Sequence, residues 1–597
     1  MLKAKYIFFY LFTIKLNLMY SFPRFQCIHL RNIAQSLLAA LFIILSLPLG
    51  VRAQYQKELK SKDLKKAVDQ VSPTAIKAHM TFLSDDALAG RRPGKPGFTI
   101  AANYMAAQFQ SLGLEPGAGN NSYLQEVPLR SGVIAEPQSA LKVTRNGKEQ
   151  TLTYATDYIL LPNMGQAQSQ VAAPVVFVGY GVSAPELNYD DYANLDVRGK
   201  IVLYIAGAPA NFPNNEKAHF SSGLTKNSTA AQKGAVGMIS VVASGENNTA
   251  WNAYVTRFRR GSTWWAGQNG TPNTYFPQLK GLAAVSQAVA ADFFTGTGTT
   301  LLEAAASLRN GRPASVNLPV SVQLTTQTKY NTIKSSNVVG ILPGSDPQLK
   351  KEYVVYAAHL DHLGLSAPVN GDSINNGAHD NAAGSAILLE TVRAYKNLPK
   401  APKRSIIFLS CTGEELGLQG SDYFANNPTV PEGSLVANLA IDMPFFFYPL
   451  LDIIPHGIQH SSLRKSVEAT ANYLKLKITP DPAPEEVVFT RSDHYSFIKK
   501  GIPALFIKGG VMTGDPNKDG AKIIADWRKT IYHKPQDDMN QPFDFNAAAG
   551  HVKTNFLIGY LTANDPKRPE WNQGDFFGGK FGRKNNTQPD TGKSAKK

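Results

Sequence analysis

From Ser335 onward the chain repeats one pattern: a short, wholly apolar run that stops abruptly at a polar or acidic residue, followed by a stretch with helical spacing. A strand apolar on both faces has to be covered on both, so the pattern predicts an α/β fold, a mostly parallel-stranded sheet sandwiched by helices. Three of these runs deliver the same kind of side chain. Tyr353-Val-Val-Tyr-Ala-Ala358 leads to His359, with Asp361 two positions on. Ser405-Ile-Ile-Phe-Leu-Ser410 leads to the adjacent Glu414 and Glu415, and Leu435-Val-Ala-Asn-Leu-Ala-Ile441 leads to Asp442. In open α/β sheets ligands bind beyond the carboxyl ends of the strands, so these side chains are expected to meet in one crevice.

Two further residues join them from loops. Asp380 lies in Gly377-Ala-His-Asp-Asn-Ala-Ala-Gly384, whose small residues let backbone and carboxylate come close to a small ligand before an apolar helix begins. His533 stands late, in Ile531-Tyr-His-Lys-Pro-Gln-Asp-Asp538. Taken singly, each has a plain structural explanation: a helix cap for Asp380, a solvated turn for Glu414 and Glu415, a satisfied buried imidazole for His359. Together they do not, because several carboxylates at one sheet edge repel each other unless cations sit between them. Two histidines with three carboxylates suit divalent ions of intermediate softness, zinc first. Paired metals with a carboxylate held beside a ligand, as Glu414 is beside Glu415, suit hydrolysis of a peptide bond.

The rest of the 597-residue chain sets the context. Its hydrophobic fraction of 43% and charged fraction of 18% are those of a globular protein. The net charge of +16 is concentrated at the ends: residues 1–53 hold six cations and no acid, and residues 577–597 six cations against Asp590, which leaves +5 between them. That placement argues against a nucleic-acid partner. The apolar run from Ser36 to Gly50 follows basic residues and ends at Val51-Arg52-Ala53, the pattern of a cleaved export signal, with Met19 as an alternative start of translation. A periplasmic or secreted location is therefore expected. Cleavage after Ala53 removes Cys27 and leaves Cys411 as the single cysteine, so no internal disulfide is expected. The boundaries read as a leader over 1–53, an N-terminal part of the catalytic domain over 54–165, an inserted β-rich domain over 166–325, the catalytic core over 326–565 and a disordered basic tail over 566–597.

The blocks His359-Leu-Asp361-His-Leu-Gly364, Gly377 to Gly384, Glu414-Glu415-Leu-Gly-Leu-Gln-Gly-Ser421, Asp442-Met443 and Tyr532-His533 resemble, in order, those of the co-catalytic zinc exopeptidases of family M28, the bacterial leucyl aminopeptidase and glutamate carboxypeptidase type. The resemblance implies two Zn²⁺ per chain, with Asp380 bridging them, His359 and Asp442 completing one site, and Glu415 and His533 the other. It implies Glu414 as general acid and base, Tyr532 as a donor to the oxyanion, and Asp361 as a residue that orients a ligand without binding metal. His494, in Arg491-Ser-Asp-His-Tyr-Ser-Phe497, is a weaker candidate ligand than His533. The blocks Phe177 to Val182, Tyr189 to Tyr192 and Asp196 to Val202 resemble the protease-associated (PA) domain often inserted in these enzymes. Ala440 stands where family members carry Asn, and Pro444-Phe-Phe-Phe-Tyr448 replaces the usual small residues, a change expected to narrow the specificity pocket.

The resulting expectation is an exported aminopeptidase acting on peptides or proteins, with no nucleic-acid partner, no stable membrane partner and no stated oligomeric state. Glu485, Glu486 and Asp493 are candidate receivers of a substrate ammonium, and Arg491 and Lys508 of a substrate carboxylate. A glutamate-carboxypeptidase-like hydrolase is the first alternative. A glutaminyl cyclase, which uses one zinc, and a metal-free binding protein on the same fold follow it.

Overall fold

The structure is a computed structural model that describes residue 55 and residues 57–242, 249–267, 270–272 and 274–583. The leader over 1–53 lies outside the described residues. The chain divides into two compact units, Met1–Leu64 and Lys65–Lys597. Of the first, the described residues supply a short helical stretch; the second contains the sheets. No helix among the described residues is long and apolar enough to cross a membrane.

The first sheet is built around four parallel strands in the order Ser405–Cys411, Tyr353–His359, Leu435–Ala440 and Ala504–Gly509. Nearly every residue in them is buried, as strands covered on both faces require. Antiparallel strands flank them: Ser315–Leu342 and Leu124–Ile134 on one side, Asp452–His456 on the other. Helices Ala383–Lys396, Phe545–Asn564 and Pro73–Leu83 pack against one another over the sheet. The long helix Phe545–Asn564 starts at Asp544, whose carboxylate accepts from the amides of Asn546 and Ala547, a cap worth about 1 kcal/mol. The mixed α/β architecture is the one the buried runs predict.

One strand belongs to two sheets. The 28-residue strand Ser315–Leu342 pairs through its second half with Leu124–Ile134, and through its first half with Ala140–Arg145 and Gln168–Val178. The second sheet continues through the parallel strands Ile201–Ile205, Gly237–Val242 and Gly281–Ser286 to Tyr158–Leu161 at its edge. The chain leaves the first sheet at Ile134, touches it again at Ser262–Trp265, which pairs with Leu124–Ile134, and returns to it at Thr328. Between residues 135 and 165 the second sheet takes up Ala140–Arg145, the exposed edge strand Lys148–Thr151 and the buried strand Tyr158–Leu161.

The expected disordered tail is partly ordered. Trp571 bridges to Ser461 and donates its indole N–H to Gly501 O at 3.0 Å. Asp575 caps the helix Phe576–Phe581, and Phe577 is fully buried against His460 and Phe489. A few aromatic anchors suffice to fold a segment whose composition is otherwise that of a linker. Residues 584–597 lie outside the described residues.

Candidate metal centre

The parallel register places the strand-end residues side by side. His359 pairs with Cys411, three residues before Glu414, and Ala357 pairs with Ala440, two residues before Asp442. Asp380 reaches the same edge from the turn Ala378–Ala382, where the Asp380–Asn381 peptide is cis. The turn needs its glycine: a Cβ on Gly384 would lie 2.2 Å from the Asn381 side-chain oxygen and 2.5 Å from Ile441 O. Asn381 closes the corner, donating to Ile441 O and accepting from the Gly384 and Met443 amides.

Two groups of donor atoms converge there, and Asp380 is common to both. On one side His359 Nε2 lies 3.3 Å from Asp380 Oδ1 and 3.4 Å from Asp442 Oδ1, all three residues buried. On the other, His533 Nε2 lies 3.2 Å from both Asp380 Oδ2 and Glu415 Oε2. His362, whose ring the sequence reading leaves without a role, joins this second group: its Nδ1 lies 2.7 Å from Glu415 Oε1 and 3.9 Å from Asp380 Oδ2. The two oxygens of one aspartate therefore face two different groups, the geometry of a bridging carboxylate.

The donor set fits divalent cations. His362 Nδ1, His533 Nε2 and Glu415 Oε1 are buried without a hydrogen-bond partner, although they stand at short distances from one another or from Asp380. Buried nitrogen and carboxylate atoms that approach this closely without hydrogen-bond geometry are oriented toward a shared point, and leaving them unserved is costly. Nitrogen and oxygen donors in this mix suit zinc.

A surrounding layer holds the donors in place. The Asp361 carboxylate accepts from the amides of Glu414 and Glu415 at 3.1 and 3.4 Å, while its backbone carbonyl faces His359 Nδ1 at 3.1 Å. Asp537, which the sequence reading passes over, accepts from the amides of His379 and Asp380 at 2.8 and 3.0 Å. Beneath the turn, the buried Arg91 guanidinium donates to the carbonyls of Leu360, Gly377, Asn376 and Leu83. Such partners fix the aim of a ligand, and losing one commonly weakens metal binding about 10–100-fold.

Electrostatics follow from the crowding. Burial would lower His359 and His533, but the surrounding carboxylates outweigh it: His359 stands well above the ordinary histidine range and His533 at about 10. Burial would raise Asp380 and Glu415, yet the histidines beside them hold Asp380 well below the carboxylate range and Glu415 at about 2. Glu414 behaves oppositely. Burial, helped by the negative charges of Asp442, Glu415 and Asp493, holds its carboxyl well above the usual range against the pull of His359.

Glu414 lines a small open cleft together with Asp380, Asp442 and Tyr532. Tyr532 stacks on His533, ring centroids 3.7 Å apart, and burial pushes its phenol up, so it stays protonated and able to donate. His494 is in neither donor group; its ring lies between Phe489 and Phe506, and burial lowers it to about 3. Among the aromatic residues after Pro444, Phe445, Phe446 and Phe447 box in the buried His379 ring instead of lining the cleft. Asp493 is buried away from the cleft lining, and Glu486 is occupied by Arg491 and Arg528.

An α/β domain with two groups of possible metal ligands that share one aspartate at its sheet edge is thus the class that fold and site define. Residues 337–557 match the model of Peptidase family M28. It is 27% identical over 244 residues to the leupeptin-inactivating enzyme 1 of Streptomyces exfoliatus, covering 39% of this chain and 50% of that protein. It is 32% identical over 232 residues to aminopeptidase YwaD of Bacillus subtilis (strain 168), covering 36% of this chain and 44% of that one. The chain therefore spans about half the length, or less, of these curated relatives. Among solved structures, the aminopeptidase from Aneurinibacillus sp. strain AM-1 aligns with a TM-score of 0.47 at 18% identity, covering 85% of this chain and 97% of that one.

Proposed function

We propose that the chain is a zinc-dependent exopeptidase, an aminopeptidase first, that removes the terminal residue of a peptide in an exported compartment. The observation that carries the reading is the pair of donor groups sharing Asp380, with Glu414 beside them on the cleft wall. His359, Asp380 and Asp442 would hold one Zn²⁺, and Asp380, Glu415 and His533 a second, with His362 fixing Glu415 from behind. Bound there, the ions supply polarisation of a water molecule and of the scissile carbonyl. Glu414 would take the proton from that water and return it to the leaving amine, a task that suits a carboxyl whose pKa burial holds well above the usual carboxylate range. The Tyr532 phenol donates to the oxyanion that develops at the scissile carbon. Asp361 and Asp537 hold the backbone of the ligand-bearing turns in place throughout.

The names of the relatives support hydrolysis at the amino end, and the basic apolar leader supports export. The inserted body reads as a protease-associated domain that guides substrate to the cleft. The test is hydrolysis of free-amine aminoacyl reporters, N-blocked dipeptides and peptides with N-terminal glutamine, before and after chelation and zinc add-back. Chelator-sensitive release from the first set is expected. Turnover confined to blocked dipeptides would move the reading to a carboxypeptidase, cyclisation without hydrolysis to a cyclase, and silence with metal bound to a binding role.

A further inference from the structure

The inserted body contains a cavity that plays no part in the proposed hydrolysis. One face of the second sheet is packed in two separate places. Under the helix Gly223–Gln232, Val202 and Met238 meet Ala230 and Ala231; under the helix Thr249–Arg259, Ile159 and Ala284 meet Trp251 and Val255. The register sets Met238 beside Val202, and Ser240 beside Tyr204 and Ala284, so alternate residues of one strand put Ser240 on the same face as Met238 and between the two packed areas. A hydroxymethyl group cannot fill that gap, and a cavity of about 590 Å³ lies over it.

Close-packed interiors hold few voids larger than a water molecule, whereas sites for small organic ligands occupy about 300–1,000 Å³. The walls are mostly apolar, among them Leu161, Met238, Leu282 and the rings of Tyr254, Phe258 and Phe276. The charged residues in the lining are Lys226 and Lys280, and no carboxylate is among them. Lys226 is 1% exposed and donates to the carbonyls of Tyr180 and Gly207, which leaves the third proton of its ammonium for a further acceptor. The carboxylate that acts on it, Asp191, stands outside the lining and accepts from the Val182 amide and the Tyr189 hydroxyl. Burial lowers the Lys226 ammonium to about 7, a cost that an anion beside it would offset. Thr326 adds to the wall a hydroxyl that is buried and without a hydrogen-bond partner. A purely structural Lys226 accounts for its two carbonyls, but not for its third proton, the unserved Thr326 or the volume beside them.

We propose that this cavity binds a monocarboxylate with an apolar body, its head received by Lys226 and its body lying over Met238, Ser240 and Leu282. The body has two chemical sources, an alkyl chain or a fused aromatic ring. The site is independent of the peptidase reading.

The test is calorimetric titration of the zinc-loaded full chain with two matched pairs, dodecanoate against dodecanamide and naphthoate against naphthamide. In at least one pair the acid is expected to bind at one equivalent and at least about tenfold tighter than its amide, the scale of a charge-assisted hydrogen bond. The pair with the tighter acid names the body. Ser240→Phe, which fills the cavity from its floor, should weaken that binding at least about tenfold while the thermal unfolding midpoint stays near that of the wild type. Carboxylate bound at the metal centre would survive this variant and is told apart by it. Lys226→Met should bring the ratio of acid to amide affinity close to one. If that variant does not fold, having lost the contacts to Tyr180 and Gly207, the wild-type ratio together with Ser240→Phe decides. Absence of saturable binding by either acid, equal affinity for acid and amide in both pairs, or binding unmoved by Ser240→Phe would overturn the site.

Discussion

The two halves of the metal centre share a residue but are built differently. The His359–Asp380–Asp442 half is sealed: His359 comes off the end of a central strand, and each side chain is exposed by less than a tenth. The half that holds Glu415 has one donor, His533, that is 34% exposed and comes from a loop with a left-handed backbone at φ 60°. That conformation costs a non-glycine residue about 1–2 kcal/mol, so His533 is held at its place and not merely passing through it. The sealed half is designed into the sheet, whereas the open half depends on a turn that the adjacent Trp527 and Tyr532 rings support. Under the proposed two-zinc reading, affinity and access would be divided: one ion would be held by the core, and the other would face the cleft.

The largest expected effect would break the comparison altogether. Asp380→Ala removes the carboxylate common to both halves, so metal analysis should find neither ion retained after dialysis and no activity. Retention of one equivalent would show that the halves are independent and that Asp380 does not bridge. Next comes Glu414→Gln, which should keep both equivalents of zinc while kcat falls by about 10²–10⁴-fold, the range of a lost proton-transfer group. Loss of metal in that variant would make Glu414 a ligand instead.

The asymmetry itself is sharpened by three histidine variants compared by metal titration. His359→Ala should abolish the tight site, and His533→Ala should weaken only the second. His362→Ala distinguishes positioning from ligation: a role in aiming Glu415 predicts an affinity drop of about 10–100-fold at the second site. Abolition equal to that in Asp380→Ala would instead make His362 the ligand. Asp537→Asn should fall in the same 10–100-fold range but affect both ions, because Asp537 holds the amide of the shared Asp380.

The sealed half was the legible half. His359 and Asp442 end unbroken buried strands, and a polar residue there stands out against six or seven apolar neighbours. Asp380 and its glycines are readable because only small residues allow that approach. What escaped was whatever acts through backbone atoms across long sequence separations. Asp537 holds an amide 157 residues earlier, and Arg91 binds carbonyls 269 to 286 residues later; neither side chain differs locally from an ordinary loop charge. His362 lies in a quoted block but three residues past a strand end, where a turn and not a periodicity decides its direction. The bounds of the inserted body and the tail are hard to read for a related reason: composition averages over a window, and the edge strand Lys148–Thr151 and the anchor Phe577 are exceptions to their surroundings.

The smallest prediction separates metal loss from unfolding, since both are expected on acidification and would otherwise blur the difference between the halves. His219, on the inserted body, is buried and hydrogen-bonded through Nδ1 to the Tyr495 hydroxyl at 2.5 Å. Burial, helped by Lys580 and Lys499, lowers it to about 3. The folded protein therefore keeps this ring neutral while the unfolded chain takes a proton below the ordinary value near 6.5, so stability is complete above that pH and declines as pH falls from about 6.5 toward 3. At about 1.4 kcal/mol per pH unit the loss should approach 2 kcal/mol by pH 5. Chelator-treated wild-type protein and His219→Asn, unfolded in denaturant across that range, should differ by a fixed offset above pH 7. The gap should close, or reverse in sign, as the pH drops. Parallel pH profiles for the two proteins would mean that acid lability starts elsewhere, and any early loss of the second ion could then be assigned to the open half of the centre.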